Sequence, residues 1–190
     1  RRTRDIDGEI EFFNSCLELV RQDMRNLHAK LSGQVAEEER QLFDVYIRML
    51  DDAALGNEIV ERIRMGFWAQ GSLAYVANEH VRSFEEMDDP YLSERAIDIK
   101  DLCARILFYL QDKVVVETEY ADCTILVSEE ITPSMLAEVP ESKLKGLISV
   151  KGSGNSHVAI LARTMGIPTV MGAVDLPYTQ LHGKEVIIDG

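Results

Sequence analysis

The chain has 190 residues, of which 46% are hydrophobic and 28% charged, a composition typical of a folded globular protein and unlike that of a disordered one. Its formal net charge of −13 and the lack of a basic stripe argue against a protein that binds nucleic acid. The longest apolar runs, residues 106–110 and 158–162, are too short to cross a membrane, so no membrane association is expected.

The first part of the chain has the hydrophobic period of a helix. Apolar residues in steps of three and four predict a long first helix, with a stripe made of Ile6, Ile10, Phe13, Leu17, Val20, Met24, Leu27 and Leu31. Ser32-Gly33 is predicted to end it. Glu37, Glu38 and Glu39 then open a second helix with acidic residues, where the helix dipole favours them.

Three more helical patterns follow. They centre on Ile59 and Ile63, on residues 73–84, and on residues 92–110. A coiled-coil dimer would also explain the first stripe, but several neighbouring amphipathic helices favour a bundle within one chain. Residues 1–113 are therefore predicted to form an all-helical subdomain.

The pattern changes at about Val114. Short runs rich in β-branched residues occur at 123–127, 147–150, 169–171 and 185–188, and helix-forming segments separate the first three. Alternating strands and helices predict an α/β subdomain over residues 114–190. Within it, Cys123 is predicted to be a core residue. Cys16, Cys103 and Cys123 are odd in number and lack metal-ligand spacing, which favours reduced thiols and a cytoplasmic protein.

One loop has the features of a reactive site. A predicted buried strand runs into Gly152, Ser153, Gly154, Asn155 and Ser156, and a helix is predicted to begin close to His157. Glycines let the backbone turn tightly, and a helix N-terminus favours an anion. A neutral imidazole is a competent nucleophile. Two interpretations of His157 follow from these features: a histidine that accepts a phosphoryl group, and a structural histidine at a helix start.

Other functions are alternatives to phosphoryl transfer. Gly152-x-Gly154 superficially resembles a dinucleotide loop, but His157 stands where a third glycine belongs, and no lysine follows as a phosphate-binding P-loop requires. A non-catalytic helical interaction module is a second alternative. His28 and His80 lie within helical patterns and are interpreted as surface or packing residues, and His182 as an exposed turn residue.

The residues around His157 also resemble a known family. The motifs are Ser156-His157-x-Ala159-x-x-Ala162-Arg163, Gly166-Ile167-Pro168 and Val170-x-Gly172. They resemble the phosphohistidine signature of the phosphoenolpyruvate-utilising enzymes, among them the enzyme I family of the bacterial phosphotransferase system. Asn155, where sugar-type enzymes have Thr, resembles the nitrogen-related branch of that family.

The resemblance implies a fold and an activity. The fold is an α/β phosphohistidine domain with an inserted helical bundle, whose first strand is expected to lie outside this sequence. The activity is that of a phosphoenolpyruvate-protein phosphotransferase. His157 would accept phosphate originating from phosphoenolpyruvate on Nε2 and pass it to a histidine of a small HPr-type carrier, and Thr132 would hydrogen-bond the imidazole.

The resemblance further implies two partners. The carrier would dock on the helical subdomain through residues matching Glu37, Glu38, Asp44, Tyr46 and Met49, and a basic carrier would suit the acidic charge. The second partner is a C-terminal barrel domain of the same enzyme, expected to bind phosphoenolpyruvate and Mg²⁺. No cofactor is expected within the present sequence, which would exchange phosphate with the carrier but not take it from phosphoenolpyruvate.

Overall fold

In the computed structural model, the described residues are 3–31, 33, 35–51, 55–87, 89–111 and 119–189. They form two compact units. The helical unit contains the described residues up to His28 and those from Gln41 to Gln111. The α/β unit contains Ala29–Arg40 and the described residues from Glu119 onward. The predicted boundary at residues 113 and 114 lies outside the described residues.

The division differs from the sequence prediction in one segment. Residues 29–40, which were assigned to the helical subdomain, cluster with the α/β unit. One contact that ties them there is made by Lys30, whose ammonium donates to the carbonyls of Ala137 and Glu138 at 2.5 and 2.8 Å. Because carbonyls at the end of a helix lack partners within it, a cation there is stabilising.

The helical unit contains five helices, and the end of the first and the start of the second belong to the α/β unit. They are α1 (Ile6–Lys30), α2 (Glu37–Asp51), α3 (Gly56–Arg64), α4 (Ala69–Glu85) and α5 (Pro90–Leu110). At the start of α1, the Asp5 carboxylate accepts a hydrogen bond from the amide of Gly8, as the side chain of an N-cap residue does. Gly66, at φ +88°, follows the end of α3 in a conformation that glycine adopts without strain.

The core of the helical unit lies on the predicted stripes. Phe13, Val20 and Met24 of α1 are fully buried, as are Ile59 and Ile63 of α3. Burying each such side chain contributes about 1.5–3 kcal/mol relative to leaving it exposed. None of the described helices is long and apolar enough to span a membrane.

The α/β unit is built on a parallel three-stranded sheet in the order β1-β2-β3. Its elements are β1 (Thr124–Ser128), α6 (Pro133–Glu138), β2 (Leu144–Ser149), α7 (His157–Thr164) and β3 (Thr169–Met171). Parallel strands need crossover connections, and α6 and α7 provide them. The predicted combination of a helical bundle with an α/β portion is confirmed.

Two local predictions are wrong. Residues 185–188 do not form a strand, although the half-buried Ile188 side chain lies over Gly146 of β2. A β-rich run becomes a strand only where a neighbour pairs with its backbone. Cys123 is exposed and precedes β1, whereas the other two cysteines are buried. Burial raises the pKa of the Cys103 thiol to about 12.

Candidate functional site

The predicted reactive residues lie at the carboxyl edge of the sheet. β1 leads through a short loop to Thr132 and α6, and β2 leads through the glycine-containing loop to His157 and α7. Because the strands are parallel, both loops leave the sheet at the same edge. Helices α6 and α7 also pack against each other. The topology therefore brings two segments together that are separated by a whole strand in the sequence.

Ser149, the last residue of β2, connects the loops at this edge. Its side chain is fully buried, and its hydroxyl accepts a hydrogen bond from the amide of Ile131 at 3.2 Å. Its carbonyl accepts another from the amide of Ala173, just beyond β3, at 3.2 Å. One residue thus fixes the segment before Thr132 and the segment after the third strand.

The loop from Gly152 to Ser156 is held largely by its own atoms. Gly152 has φ +94°, and a Cβ at this position would lie 2.9 Å from the Cε of Met171, so a larger residue would be both strained and crowded. Ser153 accepts from the amide of Ser156 through its carbonyl and from the amide of Asn155 through its hydroxyl, at 3.1 and 3.3 Å. These bonds direct the chain into α7.

His157 is the first residue of α7. Ser156 is the N-cap, and its hydroxyl accepts from the amide of Ala159 at 3.3 Å. Ser156 is buried, whereas His157 is half-buried and its neighbours Val158 and Ala159 lie in the core. The imidazole is therefore carried on an anchored helix start, where the amide dipoles favour a negatively charged group.

Thr132 is the N-cap of α6. Its hydroxyl oxygen accepts from the amide of Met135 at 3.3 Å, and Pro133 occupies the first helical position. A hydroxyl has one proton to donate in addition to the bonds it accepts. Capping therefore leaves Thr132 able to form a hydrogen bond with an imidazole, which is the role that the resemblance implies and which stays a prediction.

An ion pair joins the two loops at their exposed side. Lys151 Nζ lies 2.7 Å from Glu129 Oε1, and the amide of Lys151 donates to the Glu129 carbonyl at 2.7 Å. The hydrogen bond and charge of Lys151 lower the pKa of Glu129, and the same carboxylate raises the pKa of Lys151. Both groups are therefore charged at neutral pH, and the lysine is a cation close to the predicted phosphate loop.

Arg163 reaches back to the same loop. It lies in the last turn of α7, and its Nη2 donates to the carbonyl of Gly154 at 3.1 Å. The sequence marks Arg163 as part of a motif and leaves open a structural or phosphate-steering role, because its spacing from His157 places it on another side of the helix. Arginine is long enough to run beside the helix toward its N-terminus.

The predicted docking residues share α2 but differ in exposure. Glu37 is exposed in the first turn and pairs with Arg40. Asp44 is half-buried, with one carboxylate oxygen 3.4 Å from His28 Nδ1, and Met49 is half-buried too. The side chain of Glu38 lies outside the described residues.

Tyr46 is a core residue, so its prediction as a carrier contact is wrong. Its side chain is fully buried, and its hydroxyl donates to Asp98 Oδ1 at 3.0 Å. Burial and the neighbouring Asp101 and Asp98 carboxylates raise the pKa of the phenol. The helical period places position 46 on the face of α2 that turns inward, together with the buried Leu42, Phe43 and Leu50.

The remaining histidines lie apart from the loop in sequence and have structural surroundings. His80 Nε2 is 3.0 Å from Glu58 Oε2 between α4 and α3, and His182 is exposed in a turn. Among the described residues, no cluster of three or more His, Cys, Asp or Glu side chains could hold a metal ion. No sequence motif marks Ser149, Lys151 or Glu129, so the sequence does not predict their contacts at this edge of the sheet.

Comparison with known proteins identifies relatives along nearly the whole chain. Residues 1–95 match the family model "PEP-utilising enzyme, N-terminal", and residues 120–190 match "PEP-utilising enzyme, mobile domain". A Salmonella typhimurium protein, "Phosphoenolpyruvate-dependent phosphotransferase system", is 34% identical over 188 residues. That alignment covers 99% of this chain and 25% of the relative.

A "Phosphoenolpyruvate-protein phosphotransferase" from Listeria innocua is 31% identical, over 98% of this chain and 33% of the relative. The chain thus spans a quarter to a third of the length of these relatives. A solved structure described as "N-terminal domain of Enzyme 1 - Nitrogen" is similar with a TM-score of 0.66 and 32% identity, covering 96% of this chain and 74% of that one. An NMR structure of "Enzyme I (nEIt)" has a TM-score of 0.70 and 25% identity, with coverages of 90% and 70%.

Proposed function

This chain belongs to the phosphoenolpyruvate-utilising enzymes, and we propose that it relays a phosphoryl group through His157 in a nitrogen-related phosphotransferase system. In the forward direction the group originates from phosphoenolpyruvate and leaves to a histidine of a small HPr-type carrier. The observation that carries the proposal is the place of His157, at the start of an anchored helix directly after a glycine-containing loop.

The chemistry needs a neutral imidazole with an available lone pair. Nε2 of His157 forms a bond to phosphorus while the bond from phosphorus to the donor breaks, and the electron pair of that bond stays with the donor. When the donor is a phosphorylated carrier, one ring nitrogen replaces another and the phosphoryl group moves as a unit. Transfer of this kind depends chiefly on positioning and on stabilising negative charge.

The surroundings of His157 supply both requirements. The helix dipole at the start of α7 favours the phosphoryl charge, and the Ser156 cap fixes the first helical turn. Thr132 is proposed to form a hydrogen bond with the imidazole, which would orient the ring. Lys151 adds a cation beside the loop, although its pairing with Glu129 offsets much of that charge.

The carrier is proposed to dock on the acidic face of α2. Glu37, Gln41 and Arg48 are exposed, Asp44 is half-buried, and positions 37, 41, 44 and 48 share one side of a helix. With a net charge of −13, the chain would attract a carrier that has a basic rim. Met49 remains a proposed contact with the carrier, whereas the buried Tyr46 does not.

The upstream steps are assigned to another part of the enzyme. A C-terminal barrel domain is proposed to bind phosphoenolpyruvate and Mg²⁺ and to deliver phosphate to His157. The proposal also retains the cytoplasmic location expected from the sequence. These statements rest on membership of the family and on the similarity to named phosphoenolpyruvate-protein phosphotransferases.

The proposal is tested by incubating the chain with an HPr-type carrier that has been phosphorylated with ³²P. Label is expected on the chain as an acid-labile, alkali-stable phosphoramidate, and His157→Ala is expected to abolish it. His182→Ala, which removes an exposed histidine from the same unit, serves as the matched control and should label normally. A folded wild-type chain that takes no label would favour the non-catalytic interaction module. Micromolar binding of ATP or NAD at residues 152–156 would favour a nucleotide-binding domain.

A further inference from the structure

The peptide that joins Gly154 to Asn155 is held at both of its polar atoms. Its carbonyl accepts the hydrogen bond from Arg163, and its N–H donates to the Ser153 hydroxyl. The second bond is local to the loop, whereas the first comes from a side chain nine residues away in the chain. Arg163 thus provides an anchor for this peptide from outside the loop.

The peptide needs such an anchor because its surroundings are open. A Cβ built on Gly154 would meet no atom within 4 Å, and both Gly154 and Asn155 are exposed. Glycine also adopts conformations that other residues avoid, so rotation of an adjoining peptide has a low steric cost. Neither packing nor backbone restriction at Gly154 holds the carbonyl in its direction.

We propose that Arg163 is a positioning residue for phosphoryl transfer, which it serves by preventing rotation of the peptide between Gly154 and Asn155. This inference rests on the proposed function of His157. A rotated peptide would present a carbonyl oxygen in place of an N–H within the loop that precedes the histidine, and such an oxygen repels a phosphoryl group.

Arg163 acts on the loop and not on the reacting atoms. Its loss should therefore slow transfer at saturating carrier while leaving the carrier concentration for half-maximal rate unchanged. A small misplacement of groups around a reacting centre reduces rates by roughly tenfold to a hundredfold. Lysine keeps the charge and one donor but lacks the planar fork, so it should restore part of the rate.

The test compares Arg163→Met and Arg163→Lys with Lys184→Met, which removes an exposed cation elsewhere in the same unit. Exchange of ³²P with a phosphorylated HPr-type carrier is measured over a range of carrier concentrations, and hydrogen exchange is followed at the Asn155 amide. We expect Arg163→Met to lower the maximal rate at least about tenfold and to speed amide exchange, Arg163→Lys to give intermediate values, and Lys184→Met to match wild type.

The possible failures are distinguishable. If Arg163→Met is folded and transfers phosphate at the wild-type maximal rate, the positioning role is overturned and the function of His157 stands. A change confined to the half-saturating carrier concentration would also overturn it, since that result indicates a docking contact. If wild type itself takes no label, the proposed function fails and this inference fails with it. Should Arg163→Met not fold, Arg163→Lys decides: a wild-type rate together with faster amide exchange at Asn155 would reject the link between loop order and transfer.

Discussion

The hydroxyl of Ser149 accepts a hydrogen bond from the amide of Ile131, the residue that precedes Thr132. Both residues are buried, and the bond joins the last residue of β2 to the loop that follows β1. Ser149 therefore positions the Thr132 loop from the same strand that leads to His157.

Replacing Ser149 by Ala should destabilise the protein. The Ile131 amide would be left buried without its acceptor, which costs about 1–3 kcal/mol of unfolding free energy. Urea denaturation measures the loss, and phosphoryl exchange of the folded variant should also slow. The matched control is Ser142→Ala, a substitution at an exposed turn that should leave both quantities unchanged. Equal stability of the two variants would show that the buried bond contributes nothing.

Thr132 should have two separable roles. Thr132→Ala removes the cap of α6, at a cost of about 1 kcal/mol, and also removes the proposed hydrogen-bond partner of His157. Thr132→Ser retains both functions, whereas Thr132→Asp retains a capping oxygen but replaces the hydroxyl by a carboxylate, whose negative charge repels a phosphoryl group. We expect near wild-type stability in the Ser and Asp variants and rapid exchange only in the Ser variant. If Thr132→Ala exchanges phosphate at the wild-type rate while folded, Thr132 is a cap and nothing more.

The ion pair between Lys151 and Glu129 predicts a defined pH dependence. Because the folded pKa of Glu129 lies below its ordinary value of 4.5, the pair stabilises the protein above that value and loses this effect as pH falls through the folded pKa. The folded pKa of Lys151 lies above its ordinary 10.5, so the effect is also present below that value and lost as pH rises through the folded pKa. Both side chains are exposed, and the effect on stability should be small.

Titration of the Glu129 carboxyl carbon by NMR measures this directly. Lys151→Gln should raise the pKa of Glu129 toward 4.5, while Lys145→Gln, at an exposed position on β2, should leave it depressed. A Glu129 pKa that is the same in all three proteins would contradict the ion pair.

Charge reversal should weaken carrier association. Changing Glu37, Glu38 and Asp44 to Lys is expected to slow association and flatten its salt dependence, because screening shortens the range of attraction to about 8 Å at physiological ionic strength. Excess carrier should restore labelling of His157. Glu141, Asp175 and Glu185 are exposed acidic residues of the α/β unit, and their change to Lys gives a control with the same change in net charge.

If the variant with Lys at positions 37, 38 and 44 exchanges phosphate at the wild-type rate across a salt series, the carrier docks elsewhere. Equal slowing of both triple variants would indicate a general effect of charge and no specific face. Tyr46→Phe adds a further check: it should lower stability by about 1.5–3 kcal/mol through loss of a hydrogen bond to a carboxylate, and leave association unchanged.

Much of the fold follows from local sequence patterns. The stripe from Phe13 to Leu27 predicts α1 because the residues that recur every three or four positions are the ones that become buried. The strand at 185–188 was predicted from composition alone, and composition cannot show whether a pairing partner exists. For Cys123, strand propensity located the neighbouring β1 correctly but did not show where the strand begins.

The site was predictable to the extent that it lies in one continuous segment. Residues 152–157 combine glycines, a cap and a histidine, and the chemistry can be inferred from these types in this order. Ser149 and Glu129 act through contacts between segments that are distant in sequence, and Arg163 acts through the reach of a long side chain. Such relationships require the tertiary structure.

The most direct test of the account is to locate the phosphoryl group on the chain. After incubation with phosphorylated carrier, ¹⁵N and ³¹P NMR of histidine-labelled protein should show a single phosphorus–nitrogen coupling, at Nε2 of His157. The coupling should disappear in His157→Ala and persist in His182→Ala. A phosphoryl group attached to His28, His80 or His182, or no coupling to any histidine in a folded chain, would contradict the account.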